Sequence, residues 1–389
     1  MIYGLLFCAL LATAIGQSVF LTTVPSLGRE AGLSELAVAT LMSSSALVFA
    51  VGTNIWSRVI RRRGFRAILL TGLAGYTLGT LAFALVWSAG LSDIISSTAL
   101  IVTLLITRSL QSTIMSATPP AAVGYVVATS SASTRASAIS KVTSANNLGH
   151  ILGPPFAGAL VGFGLLTPMY CVAGLTVLAI ILVWWRLPDH QPARQQAEQH
   201  ATDTATTPLK SNTAWLIGGC VIVFVCMAMM QQSLSFFMMD VHRATPVEAA
   251  RYTGFAMMIS AVFSLLVQFT IVQRRWLAAP TLIWLAFICL AAAYWLLYLH
   301  QSMALLYIAM VLLGTGMGMG YPALAAVATT RCKPARQTQV TGLLTATPAM
   351  GYILGPPLSA MLYAQQMNLP FALATVLTAL MAVIMYWQR

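Results

Sequence analysis

Gly149-His150-Ile151-Leu152-Gly153-Pro154-Pro155 returns as Gly351-Tyr352-Ile353-Leu354-Gly355-Pro356-Pro357, in a chain that is 59% hydrophobic and 7% charged. Glycines four apart lie on one helix face and admit a close neighbour. Prolines that follow remove backbone donors and bend the helix. The same seven-residue pattern in two distant apolar stretches means that the chain is built from two related halves. Glycine and proline interruptions at matching places in two apolar halves are the pattern of a transporter that holds its solute near the bilayer midplane, between its repeats.

Composition agrees. A soluble domain carries about a quarter charged residues, whereas this chain of 389 residues has 20 Lys plus Arg and 8 Asp plus Glu. That is too little charge to cover a wet surface. The formal net charge of +12 would fit nucleic acid only as a basic face on a soluble fold, so no nucleic acid is expected.

Apolar stretches long enough to cross a bilayer fall at 3–25, 37–57, 67–89, 97–128, 138–162, 166–187, 213–238, 251–272, 279–299, 303–328, 338–363 and 370–387. With the N-terminus in the cytoplasm, sixteen of the 20 bases lie inside, from Arg58 to Arg389, and Arg29, Arg243 and Arg251 lie outside. The positive-inside rule selects that orientation and puts both termini in the cytoplasm. The first stretch lacks a basic leader and reads as a span. The expected fold is an all-α polytopic membrane protein with twelve transmembrane helices in two pseudo-symmetric six-helix bundles, residues 1–187 and 213–389. The Gln-, Thr- and Ala-rich stretch 188–212 reads as a cytoplasmic linker.

Other repeats support the duplication. Gln17-Ser18 matches Gln232-Ser233, Glu35 matches Glu248 at the start of a span, and Ser45-Ala46-Leu47-Val48-Phe49 matches Ser260-Ala261-Val262-Phe263. Gly314, Gly316, Gly318 and Gly320 resemble a dinucleotide loop in spacing, but they sit in an apolar helix and follow no strand, so they read as helix packing. The six cysteines are scattered, and no His, Asp or Glu cluster has catalytic or metal-ligand spacing, so no enzyme activity, cofactor or metal is expected.

On these residues the whole chain resembles the major facilitator superfamily, in its drug/proton-antiporter-like branch. Trp56-Ser57-Arg58-Val59-Ile60-Arg61-Arg62-Arg63-Gly64-Phe65-Arg66 is similar to the family's loop between the second and third spans: Arg62, Gly64 and Arg66 fit, whereas Ser57 and Arg61 replace a glycine and the acid that latches the two bundles. The loop reads either as a basic turn that sets topology or as a segment resting on lipid phosphates. Leu105-Ile106-Thr107-Arg108-Ser109-Leu110-Gln111-Ser112 resembles the fourth-span motif of proton-coupled antiporters, with Ser112 in place of glycine and looser packing expected there. Gly149, Gly153, Pro154 and Gly158 match the antiporter motif of the fifth span, from which Ala159 departs; Gly351, Gly355 and Pro356 are its copy. The resemblance implies export in exchange for protons, by rocking of the two bundles around a site lined by spans one, four, five, seven, ten and eleven.

The charges inside the membrane narrow the solute. Arg108 is the one base deep within a span, and a guanidinium at that depth costs about 2.5 kcal/mol or more, so it is expected to face protein or a watery cavity. It reads either as a solute ligand or as a bridge between helix carbonyls. Gln111 lies one turn on and shares its face. Of the acids, Asp240 comes nearest to the membrane interior, and exporters of cationic drugs need a buried acid. The expected substrate-binding residues are Arg108, Gln17, Gln111, Asn146, Asn147, Gln231, Gln232, Phe236 and Tyr352; the expected proton-coupling residues are His150, Asp240 and Arg108. Histidine changes charge near neutral pH. Phe236-Phe237 and Met227 to Met230 face either lipid or the solute path. The stretch Gln232 to Asp240 resembles superfamily members that export carboxylate siderophores. The expected function is export of an anionic or zwitterionic small molecule; the alternative is efflux of neutral or lipophilic drugs. The expected partners are the solute, protons and the lipid bilayer, for a monomer in the bacterial cytoplasmic membrane.

Overall fold

The computed structural model describes residues 2–131, 134–189, 211–274, 276–299, 302–332 and 336–387, so most of the linker lies outside the described residues. Long uninterrupted apolar stretches must satisfy their backbone internally in lipid, which makes them helical. The described residues form thirteen α-helices: α1 (Ile2–Glu30), α2 (Glu35–Arg63), α3 (Phe65–Leu91), α4 (Ser97–Met115), α5 (Thr118–Thr129), α6 (Arg135–Leu160), α7 (Thr167–Arg186), α8 (Ser211–Asp240), α9 (Pro246–Val267), α10 (Ala279–Leu299), α11 (Met303–Thr330), α12 (Gln337–Gln365) and α13 (Leu369–Trp387).

Ten stretches are long and apolar enough to cross a membrane, with α4 and α5 counted as one. The other two expected spans are α6 and α12, the pair that carries the duplicated glycine-proline motif. Their polar residues, such as Asn146, Asn147 and His150 in α6, make them the least apolar of the twelve.

The fourth span differs from the expectation of one continuous helix over 97–128. It breaks between α4 and α5, ahead of Pro119 and Pro120, which occupy the first turn of α5 where a missing N–H costs nothing. At the break the amide of Ala117 turns to the Ile114 carbonyl at 3.1 Å. The Thr113 carbonyl instead accepts from Trp56 Nε1 at 2.6 Å and from Ser116 Oγ at 2.7 Å.

The helices fall into two compact units. One holds the described residues through Asp189 together with Thr245–Gly254; the other holds 211–244 and the described residues from 255 onward. In the first unit α1 packs along α6, and α3 packs against α4 and α7. In the second, α8 packs along α12, and α10 packs between α11 and α13.

The motif glycines make these pairs possible. A Cβ at Gly153 would stand 2.8 Å from Ser18 Oγ and 2.9 Å from the Ile15 carbonyl oxygen; one at Gly355 would stand 2.6 Å from Ala228 Cβ and 2.9 Å from the Val225 oxygen. Pro154 has no N–H to give the carbonyl of His150, and Ser18 Oγ donates to that oxygen at 3.3 Å instead. Gly254, at the end of the α9 segment that belongs to the first unit, lies close enough to α6 that a Cβ there would be 2.6 Å from the Pro154 oxygen.

These contacts also give the register of the repeat. Ser18 and Ala228 occupy equivalent places, each against its own motif glycine, and they are 210 positions apart in sequence. Gln17-Ser18 and Gln232-Ser233 are 215 apart, so that dipeptide match does not mark equivalent sites. The glycine run of α11 is packing, as its setting indicated: Gly318 lies against Ser264 of α9, and Gly316 lies against the Ala286 oxygen of α10, where a Cβ would be 2.9 Å away.

Candidate solute site

The site begins with Arg108, whose side chain α4 carries into the first unit. It is 4% exposed. Its Nε donates to Ser45 Oγ of α2 at 3.0 Å, its Nη1 donates to Gln111 Oε1 at 2.5 Å, and its guanidinium carbon stands 3.8 Å from the Phe20 ring centroid of α1. Gln111 is tied in turn to α3: its Nε2 donates to the Tyr76 carbonyl at 3.2 Å and to Thr80 Oγ1 at 2.7 Å. Helices α1, α2 and α4 therefore meet at the guanidinium, and α3 joins them through Gln111. Ser112 is fully buried, and its Oγ pairs with Ser45 Oγ at 2.9 Å. The serine that replaces the motif glycine thus adds a hydrogen bond, where the sequence pointed to looser packing.

Every one of these partners is neutral. Among the described residues the ion pair joins Arg29 and Glu35 at 2.8 Å, far from Arg108 in sequence, and no described carboxylate pairs with Arg108. Beside the guanidinium lies a small recess with room for about one water-sized group, lined by Gly16, Val19, Phe20, Tyr76, Thr80, Phe83, Arg108, Gln111, Met169 and Val172. Phe20, Phe83 and Trp87 form an aromatic column along it, with centroids 5.7 and 6.0 Å apart. The chemistry available is that of a cationic recess with mostly apolar walls and hydroxyl groups at its edge.

The other candidates divide between the units. In the first unit, Gln17 is half-buried and turns its Nε2 towards the sulfur of Met115 at 3.9 Å, away from the guanidinium. Asn146 is half-buried and His150 is exposed; one turn apart on α6, they share a face. The side chain of Asn147 lies outside the described residues.

In the second unit, Tyr352 donates its hydroxyl to Gln231 Oε1 at 2.8 Å. Gln232 is buried, and Phe236 is buried with its ring 6.1 Å from that of Tyr363. The Tyr363 hydroxyl donates to Asp240 Oδ2 at 2.7 Å. The structure thus brings Arg108 together with Gln111, Gln231 with Tyr352, and Phe236 with Asp240 through Tyr363.

In the loop between α2 and α3, Gly64 adopts φ +81°, which favours glycine. Arg66 donates to the Trp184 carbonyl of α7, while Arg62 is exposed. Among the described residues no group of three or more His, Cys, Asp or Glu is placed to hold a metal ion.

Phe20, Ser45, Tyr76 and Thr80 belong to the Arg108 site but were not singled out from the sequence. A signal existed: a charge inside a membrane needs hydrogen-bond partners at its own depth. Ser45, Tyr76 and Thr80 are polar residues near the middle of α2 and α3.

Residues 6–277 and 270–389 match the family described as the Major Facilitator Superfamily. No protein of curated function matches the sequence. Among solved structures the chain is similar to a D-xylose-proton symporter, with TM-score 0.77, 15% identity, and coverage of 99% of this chain and 96% of that one. It is similar to the nucleoside transporter NupG, with TM-score 0.73, 13% identity and 98% of each chain covered. It is also similar to a human organic anion transporter, with TM-score 0.66, 15% identity, and 99% and 98% covered. At these identities the likeness concerns the fold.

Proposed function

The chain belongs to the major facilitator superfamily and is a membrane transporter of a small molecule, and from that premise we propose a proton-coupled exporter of an anionic or zwitterionic solute, with a carboxylate siderophore as the sharpest candidate. The observation that carries this reading is the buried Arg108 guanidinium, which has neutral partners and no described carboxylate. An unpaired cation in a low-dielectric setting is costly, and a carboxylate brought to it by the solute would offset that cost through charge-assisted, bidentate hydrogen bonds.

Export and antiport rest on the resemblance of the fourth- and fifth-span motifs. The proton path in this reading uses His150 and Asp240, with Arg108 responding to the charge of the solute. The protein works as a monomer in the bacterial cytoplasmic membrane, both termini inside, by alternating access of its two halves.

The test is a binding measurement on purified protein, parent beside Arg108→Ala, with a citrate-based siderophore and with a lipophilic cation. Binding of the anion by the parent and its loss in the variant supports the proposal. If Arg108→Ala binds the siderophore as tightly as the parent, or only the lipophilic cation binds, the anion reading fails and multidrug efflux replaces it. An untargeted comparison of small molecules secreted by cells with and without the protein would identify the solute.

A further inference from the structure

The same charge poses a question that an organic solute answers only while it is bound. A guanidinium has five N–H donors; Arg108 gives one to Ser45 and one to Gln111, which leaves three. Its guanidinium also stacks on the face of Phe20, and Tyr76 lines the same recess. Dipoles and a ring quadrupole reduce the cost of a buried cation but do not cancel its charge. A transporter must also pass through states in which its solute site is empty.

The recess beside the guanidinium is shaped for something small. Phe20, Phe83, Val172 and Met169 form apolar walls, and the hydroxyls of Tyr76 and Thr80 supply polar edges. Thr80 already donates to the Tyr76 carbonyl at 2.8 Å and accepts from Gln111, so Tyr76 is the hydroxyl better placed to serve a ligand. It stands directly over Gly16 of α1, where any Cβ would collide with its oxygen.

We infer that this recess binds a small inorganic anion of the halide class, which balances the Arg108 guanidinium when no organic solute is present. The guanidinium supplies charge and N–H donors, and the Tyr76 hydroxyl supplies a further donor. A water molecule would satisfy the donors but leave the charge uncompensated. Since the walls are mostly apolar, anions that shed their hydration easily should bind best, with bromide ahead of chloride. The inference does not depend on the chemistry of the exported solute.

The experiment uses the full-length protein in neutral detergent, with thermal stability measured in sodium gluconate, chloride and bromide at equal ionic strength. A ligand that binds only the folded state at a hundred times its Kd raises Tm by roughly 5 °C or more in a unit of this size. The expected result is a saturable rise of that order in bromide and chloride over gluconate, absent in Arg108→Gln and severalfold weaker in apparent affinity in Tyr76→Phe. Equal Tm in the three salts overturns the inference, as does an Arg108→Gln variant that responds like the parent. Should Arg108→Gln fail to fold, crystals of the parent grown in bromide decide: anomalous density beside Arg108 supports the site, and density confined to surface bases overturns it. A parent stabilised by bromide that binds no organic anion sustains this inference while sinking the exporter proposal, so the two can fail separately.

Discussion

Replacing Arg108 by Gln tests whether the guanidinium serves the solute or the scaffold. The change removes two hydrogen bonds from a charged donor, to Ser45 and Gln111, worth about 1.5–3 kcal/mol each. It also removes a desolvated stack on Phe20, worth about 2 kcal/mol. The loss of roughly 5–8 kcal/mol is opposed by relief of the penalty for burying an ion, which is itself several kcal/mol. The groups left behind keep other partners: Ser45 retains Ser112, and Gln111 retains the Tyr76 carbonyl and Thr80. The net change in stability is therefore about 3 kcal/mol or less, a Tm shift within roughly 10 °C for a unit of this size.

Solute binding should respond far more. Truncating one member of a buried charge pair costs about 2–5 kcal/mol, which is a loss of roughly 30-fold to several-thousand-fold in affinity for an anionic solute. Arg108→Lys keeps the charge but loses the planar fork, and its affinity should fall between those of the parent and Arg108→Gln. The assay pairs thermal unfolding in detergent with anion binding on the same preparations. Unchanged binding in a folded Arg108→Gln protein would refute the solute role. A Tm collapse well beyond 10 °C would refute the energy balance and make Arg108 a structural fastener.

Five further substitutions probe other parts of the reading. Gly153→Leu forces a side chain against Ser18 and the Ile15 carbonyl, so inserted protein with blocked or leaky transport is expected in a vesicle flux assay. Gly174→Ala, where a Cβ meets nothing within 4 Å, should be neutral, and normal flux from a well-expressed Gly153→Leu variant would count against the α1–α6 packing argument. His150→Gln and Asp240→Asn should each reduce gradient-driven export while leaving solute binding detectable; export at full rate with unchanged pH dependence in both would exclude them from coupling. Tyr352→Phe removes the hydroxyl bond to Gln231 and should cost about 0.5–1.5 kcal/mol in chemical or thermal unfolding, so an unchanged midpoint would show that the bond contributes nothing net.

Much of the fold was legible because bilayer physics leaves few options. Runs of about 20 apolar residues in a chain with so little charge can only be spans, and the duplicated Gly149 and Gly351 motifs marked the two helices, α6 and α12, that composition alone ranks lowest. The break in the fourth span was less legible: hydropathy runs straight through Ser116 and Ala117, and only Pro119-Pro120 signals a new helix start. The Gln17 and Gln232 match misled because a dipeptide carries no information about helix face, whereas glycines that touch a neighbour do. In the candidate site Arg108 announced itself as the one base deep within a span. Ser45, which bonds it, and Thr80, which bonds Gln111, did not, since hydroxyls in membrane helices usually bond back to their own turn, as Thr22, Thr71 and Thr103 do here.

The register set by Gly153 and Gly355 separates what the two halves share from what they do not. They share packing: each motif glycine seats its helix on the first span of its own half, against Ser18 in one case and Ala228 in the other. They do not share charge. The fourth span of the first half carries Arg108 into a polar knot of four helices, whereas α11, the fourth span of the second half, offers Gly314, Gly316 and Gly318 and packs them against α9 and α10. The polar pair of the second unit, Gln231 with Tyr352, is neutral. Under the anion proposal, recognition of a solute's charge would fall to Arg108 of the first unit, and Gln231 and Tyr352 of the second offer neutral hydrogen-bonding groups. A duplicated scaffold therefore need not yield a duplicated site: the motif glycines set whether the helices can meet, and the buried charge of Arg108 is particular to the first half.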